Sequence, residues 1–138
     1  MSIKGLCVGD LMHKKVQTVP ESVPLVEAAL LMHRLKVSSL VVEKESASDA
    51  FGILTRKDVV LALSSDMPGM HPLLVKDVMT KPAITVAPEL SIGQCLRLMR
   101  MAGVRRMPVE SGGRLVGILS NSDLFRRYVE NLKPAGKA

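Results

Sequence analysis

Two segments of the sequence place a hydroxyl three residues before a carboxylate: Thr55 with Asp58, and Ser120 with Asp123. This spacing is that of a helix capping box, in which the hydroxyl caps the first turn and the acid returns to the N–H of the capping residue. The pair also suits a ligand contact, because a carboxylate accepts several hydrogen bonds and a helix N-terminus favours anions. The spacing alone leaves both roles open.

Basic residues occur as scattered pairs in a chain of net charge +6 and pI near 9.6. The pairs are Lys14-Lys15, Arg56-Lys57, Arg105-Arg106 and Arg126-Arg127. The few aromatic residues offer no stacking platform, and no helix-turn-helix or zinc-finger spacing is visible. The pattern favours a basic surface with local anion sites over a nucleic-acid binder, and it leaves open whether Arg105-Arg106 contacts an anion or only solvent.

The residue types needed for catalysis or metal binding do not occur at useful spacings. His13, His33 and His71 are far apart, with no carboxylate or thiol at metal-ligand distance in the sequence. There is no Gly-x-Ser-x-Gly elbow and no glycine-rich phosphate loop. We therefore expect neither an enzyme nor a metal site.

The remaining composition indicates a cytoplasmic protein with reduced thiols. No apolar run reaches the length of a membrane span, and the N-terminus lacks the pattern of a signal peptide. Cys7 and Cys95 fit no metal or redox spacing, which favours two separate thiols over a disulfide.

The chain is internally duplicated. At an offset of 67 residues, 11 of the 36 positions in residues 8–43 are identical to those in residues 75–110. A contraction of two residues then aligns the Thr55–Asp58 pair with the Ser120–Asp123 pair. We predict two repeats, at residues 8–63 and 75–131, joined by a linker at residues 64–74. Units this small bury little core alone, so two copies are expected to face each other, and the cleft between them is a natural ligand site.

Each copy is predicted to form strand, helix, strand, turn, strand and helix, which gives an α+β fold of two small mixed sheets with two helices each, packed about a pseudo-two-fold axis. Apolar spacing places the first long helix from Pro24 to about Leu35. Its counterpart begins with a capping box at Ser91 and stops at Gly103. Lys36 occupies the aligned stop, so we predict a positive φ for this lysine. The helices around 26–32 and 59–63 are apolar on more than one face, which predicts a homodimer built helix against helix.

The order of these motifs resembles a CBS domain, and two in tandem resemble a Bateman module. The resemblance rests on Val75-x-Asp77-x-Met79, the segment 84–86, an amphipathic helix, the segment 103–109 and the segment 117–123. It covers roughly residues 8–131.

The resemblance implies a regulatory module that binds AMP, ADP, ATP or a related adenosyl ligand between paired repeats, with no obligatory cofactor. It implies adenine contacts from the backbone of Thr18, Val19, Thr85 and Val86, phosphate or ribose contacts from Thr55 and Ser120, and ribose contacts from Asp58 and Asp123. The segment Arg105, Arg106, Met107 and Pro108 matches the family pattern in which a basic pair reaches ligand phosphates. The aligned Ser38-Ser39 has no basic residue, so the second copy is expected to carry the principal site.

With no catalytic or transport domain in the sequence, we expect the module to act on a separate partner protein. Three other hypotheses remain. The first is an interaction or scaffold module without a ligand, in which Asp58 and Asp123 only cap helices. The second is a weak nucleic-acid binder driven by the positive charge, and the third and weakest is a small enzyme.

Overall fold

The structure is a computed structural model that describes residues 5–64 and 72–132. Most of the predicted linker, His71 and the tail from residue 133 lie outside the described residues. In chain order the elements are α1 (Val8–Leu11), β1 (Thr18–Val19), α2 (Leu25–Leu35), β2 (Ser39–Val42), β3 (Gly52–Thr55), α3 (Arg56–Ser64), a short 3-10 helix (Val75–Asp77), α4 (Ile92–Ala102), β4 (Arg106–Ser111), β5 (Arg114–Ser120) and α5 (Asn121–Asn131).

The chain divides into two compact units whose boundaries differ from those of the repeats. Among the described residues, the repeat-1 unit contains 17–64 and 72–83, and the repeat-2 unit combines 5–16 with 84–132. The first residues of each sequence repeat, 8–16 and 75–83, therefore pack within the unit of the other repeat. The predicted α+β fold is confirmed, because each unit pairs a small sheet with helices.

The repeat-1 unit contains a mixed three-stranded sheet in the order β1-β2-β3. Strand β1 runs parallel to β2, and β3 runs antiparallel to β2. The 3-10 helix joins this unit through backbone bonds such as Val75 N–H to Val23 C=O at 2.8 Å. The core consists of aliphatic side chains: Val19, Leu25, Ala28, Met32, Leu40, Val42, Leu54, Val59 and Val75.

The repeat-2 unit is built around the β4-β5 hairpin. The segment 84–86 contributes one parallel bridge, between Val86 and Val109, and His13 forms an antiparallel bridge to Ile118. The hairpin turns at Gly112 and Gly113, both with positive φ. The core members are Val8, Leu11, Val86, Ile92, Cys95, Met99, Met107, Val109, Leu119 and Leu124.

Helix boundaries follow the capping residues of the sequence. Ser91 accepts the N–H of Gln94 at the start of α4. The stop of α2 at Lys36 has φ 57°, which confirms the predicted left-handed lysine. Within the described residues, no helix is long and apolar enough to span a membrane.

Candidate functional site

Both hydroxyl–carboxylate pairs lie where a sheet strand leads directly into a helix. Thr55 ends β3 and pairs across the sheet with Ser39, while Ser120 ends β5 and pairs with Arg106. In each unit the first helical N–H donates at 2.9 Å to the residue just before the neighbouring strand, from Arg56 to Ser38 C=O and from Asn121 to Arg105 C=O. The two copies thus build the same local frame around different side chains.

Both pairs form capping boxes. Asp58 Oδ2 accepts the Thr55 N–H at 2.9 Å, and Thr55 Oγ1 accepts the Asp58 N–H at 3.2 Å. In the other copy, Asp123 Oδ2 accepts both the N–H of Ser120 at 3.1 Å and its hydroxyl at 2.8 Å. All of these capping bonds to a carboxylate use Oδ2, so the cap does not involve the second oxygen.

That second oxygen has a different environment in the two copies. Asp123 Oδ1 lies 2.7 Å from His13 Nε2 and 3.5 Å from an Arg126 guanidinium nitrogen. Within residues 5–64 and 72–132, no protein group donates to Asp58 Oδ1. Thr80 occupies the position in the repeat-1 unit that His13 occupies in the repeat-2 unit. The acid of the second copy is therefore engaged, and that of the first is accessible.

This histidine, aspartate and serine do not form a catalytic triad. His13 contacts the carboxylate rather than Ser120, and the Ser120 hydroxyl donates a hydrogen bond to Asp123. A nucleophilic serine needs a base that accepts its proton and a third group that orients the base. The described residues also contain no cluster of three metal-ligating side chains.

Thr18 and Val19 form strand β1 of the repeat-1 sheet, whereas Thr85 and Val86 lie beside the β4-β5 hairpin. Much of the polar backbone of both segments is already paired. Val19 C=O accepts the Glu43 N–H at 2.9 Å. Val86 donates its N–H to Pro108 C=O at 3.1 Å and accepts from Glu110 N–H at 2.9 Å. The Thr18 hydroxyl donates to Glu43 at 2.9 Å. An adenine contact at Val86 would therefore have to use the second lone pair of its carbonyl.

The predicted phosphate-binding segment divides into an outer and an inner part. Arg105 is exposed and Arg106 is partly buried, whereas Met107 and Pro108 are fully buried. Contact of a ligand with the side chains of Met107 or Pro108 would require the core to open. In the repeat-1 unit, where Ser39 replaces Arg106, cations instead occupy the first turn of α3 as Arg56 and Lys57.

A groove of about 430 Å³ separates α2 from α3 in the repeat-1 unit. Its floor is apolar, and its rim carries His33, Lys36 and Arg56. This groove lies on the helical side of the unit, next to the start of α3.

Local contacts and burial shift the pKa values of two further groups, Asp49 and Cys95. Lys81 Nζ lies 2.6 Å from Asp49 Oδ2 and 2.8 Å from Glu21 Oε2. The hydrogen bond from Lys81, together with backbone N–H groups of Glu45 and Ala50, lowers the pKa of Asp49 to about 2. Cys7 and Cys95 are free thiols, as predicted, and burial raises the pKa of the Cys95 thiol.

The two repeats match a known protein-family model. The CBS domain model matches the chain twice, over residues 8–65 and 75–130, and the chain belongs to the CBS domain family.

Its curated relatives differ in length. The CBS domain-containing protein YhcV of Bacillus subtilis is 30% identical over 132 residues, covering 95% of this chain and 91% of that protein. An uncharacterised protein of Methanopyrus kandleri is 28% identical, and an inosine-5'-monophosphate dehydrogenase of Korarchaeum cryptofilum is 35% identical. The alignments cover 90% and 83% of this chain but only 63% and 22% of those two proteins.

Solved structures share the fold. A hexameric CBS-CP12 protein from bloom-forming cyanobacteria superposes with a TM-score of 0.83 at 32% identity, covering 94% of this chain and 73% of that one. The CBS domain pair of protein MJ0100, solved in complex with 5'-methylthioadenosine and S-adenosyl-L-methionine, has a TM-score of 0.80 at 22% identity, with coverages of 91% and 98%.

Two residues of the site, His13 and Arg126, were not among the sequence candidates. Arg126 follows Asp123 by one helical turn, so the i,i+3 spacing could have indicated it. His13 precedes Asp123 by 110 residues. The available signal was the difference between copies, since His13 breaks the repeat at a position flanked by the identical pairs Met12/Met79 and Lys14/Lys81.

Proposed function

We propose that this chain is a regulatory module that binds an adenosyl ligand, with AMP, ADP or ATP as first candidates, and passes its bound state to a partner protein. The observation that carries the proposal is the division of labour within each acid. In Asp58, Oδ2 caps the helix and Oδ1 remains as an acceptor for a ribose hydroxyl. In Asp123, Oδ2 likewise caps the helix, but Oδ1 already contacts His13 and Arg126. Capping by Oδ2 is therefore compatible with ligand binding by Oδ1, directly at Asp58 and after displacement of a protein group at Asp123.

Positively charged side chains near both hydroxyl–carboxylate pairs favour an anionic ligand. Arg106 lies opposite Ser120 in the hairpin, and Arg56 and Lys57 begin the helix that Thr55 caps. Phosphate oxygens gain charge-assisted hydrogen bonds from arginine and from helix N-termini. The CBS domain pair of MJ0100, solved with adenosyl ligands, shares the fold and supports this class of ligand.

A thermal-shift titration tests the proposal. A ligand that binds only the folded protein stabilises it by RT ln(1 + [L]/Kd), about 2.7 kcal/mol at one hundred times Kd. We expect at least one of AMP, ADP, ATP and S-adenosylmethionine to raise Tm by several degrees. ATP and 2',3'-dideoxy-ATP form a matched pair, and the analogue without ribose hydroxyls should shift Tm much less. No shift with any adenosyl ligand would overturn the proposal.

We also propose that the chain forms a homodimer through α2 and α3. These two helices contact each other and expose aliphatic side chains: Val26 61%, Leu30 59%, Val60 56%, Leu61 56% and Leu63 62%. Several adjacent exposed aliphatic side chains are typical of a protein interface. Sedimentation should give twice the chain mass of 14.9 kDa.

An added charge on that surface tests the dimer. Leu61→Glu should convert it to a monomer, whereas Ala47→Glu, in the exposed loop after β2, should leave it unchanged. A wild-type monomer at tens of micromolar would contradict the proposed dimer and would leave the proposal on ligand binding standing.

A further inference from the structure

The acid of the second copy is fully occupied by protein groups. A carboxylate has about four lone-pair positions. In Asp123, two are taken by the N–H and the hydroxyl of Ser120, one by His13, and one by the long contact from Arg126. Asp123 is 9% exposed. A ribose that uses this acid must first displace one of these groups.

His13 is the group best placed to be displaced. Its side chain is 58% exposed and reaches Asp123 from the segment after α1, whereas the Ser120 bonds belong to the helix cap. The backbone of His13 is fixed by two bonds to Ile118, at 2.9 and 3.0 Å. The imidazole can therefore rotate away from Asp123 while the chain stays in place.

The repeat-1 unit has the same backbone arrangement without this contact. Thr80 pairs with Ile53 at 2.9 and 3.0 Å, as His13 pairs with Ile118. No described group occupies Asp58 Oδ1, and Thr80 has no ring to extend over the acid. The difference between the two acids thus lies in one side chain at one aligned position.

We infer that His13 acts as a gate on the second adenosyl site, competing with the ligand for Asp123 Oδ1, while the Asp58 site binds without this competition. The inference rests on the proposed function and adds the order in which the two adenosyl sites are occupied. The first-copy site fills first, and the second fills only when His13 is displaced. His13 is thus a specificity-determining residue for occupancy rather than a ligand contact.

A reciprocal exchange tests the gate. Calorimetric titration with AMP should show one strong site per wild-type chain. His13→Thr, which copies Thr80, should strengthen the second site by about ten-fold or more, because the competing hydrogen bond to a charged acceptor is gone. Thr80→His should weaken the first site by a similar factor. Adding Asp123→Ala to His13→Thr should remove the gain.

Each outcome has a distinct meaning. If AMP binds and His13→Thr leaves both affinities unchanged or weakens the second site, the gate is wrong and the proposed function stands. If neither the wild type nor His13→Thr binds AMP, ATP or S-adenosylmethionine, the proposed function fails and the gate fails with it. Thermal unfolding without ligand checks that both variants fold, since the Ser120 cap does not depend on His13.

Discussion

Lys36 and Gly103 end equivalent helices with the same left-handed backbone, at φ 57° and 69°. In each copy the next N–H returns to the last turn of the helix, from Val37 to Met32 C=O at 3.0 Å and from Val104 to Met99 C=O at 3.1 Å. This is the bonding of a Schellman motif, which favours glycine at the left-handed position. The first copy therefore retains a strained lysine where the second has the preferred residue.

Lys36→Gly should stabilise the protein by up to about 1 kcal/mol, because it removes the left-handed strain at some entropic cost in the unfolded chain. Urea unfolding measures the change as a shift of the midpoint at constant slope. Gly103→Ala is the matched control, since an added Cβ would meet no atom within 4 Å there. It should destabilise by about 1 kcal/mol through the backbone alone. A destabilised Lys36→Gly would mean that the lysine side chain stabilises the fold.

Gly117→Ala should destabilise the protein by about 1–3 kcal/mol. A Cβ at Gly117 would lie 2.6 Å from Met12 Sδ and 2.8 Å from His13 C=O, and that backbone cannot yield easily. Gly52 is the aligned glycine, with nearest contacts of 3.1–3.2 Å, so Gly52→Ala should cost less. Gly93→Ala, with open space in α4, should be neutral or stabilising. Equal unfolding midpoints for Gly117→Ala and the wild type would contradict the close approach.

Lys81→Met should be less stable than the wild type at neutral pH. The difference in stability between the two proteins should become smaller in acid. In the folded state the pKa of Asp49 is depressed from 3.8 to about 2, first by the hydrogen bond from Lys81 and then by the backbone N–H groups of Glu45 and Ala50. A depressed pKa contributes stability that is present above the unfolded value and is lost as pH falls through the folded value. The wild type should therefore lose its advantage between pH 4 and 2. Thermal unfolding across this range measures the difference.

Lys14→Met is the matched control for this pH dependence. Lys14 aligns with Lys81 in the repeat and forms no recorded ion pair in the described part of the chain. Its substitution should leave the pH dependence of Tm unchanged. A deficit of Lys81→Met that stays constant from pH 7 to pH 2 would rule out the contact with Asp49 as its cause.

The duplicated pattern predicted most of the local structure. Capping residues and apolar spacing depend on near neighbours, so helix ends such as Lys36 could be predicted to the residue. The compact units could not be predicted from the repeat, because residues up to Val16 pack with the second copy through pairings such as His13 with Ile118. Such long-range pairings leave no periodic signal.

The same limit affected the site. The sequence favoured the second copy as the principal site because Arg105 and Arg106 align with Ser38 and Ser39 in the first copy, which carry no positive charge. It could not indicate that His13 reaches Asp123, because that contact depends on the tertiary packing of a distant segment. The structure supports the first copy as the more accessible site, and binding measurements decide between the two.

The most direct test of the central claim separates capping from ligand binding at Asp58. In Asp58→Asn, an amide oxygen can still accept the Thr55 N–H, while the amide NH₂ replaces the acceptor at Oδ1. We predict an unchanged Tm without ligand. We also predict that calorimetry with AMP shows a ten-fold to hundred-fold loss of affinity, since a hydrogen bond to a charged group contributes about 1.5–3 kcal/mol. Asp123→Asn should change the strong site little. Wild-type AMP affinity in Asp58→Asn would contradict the account.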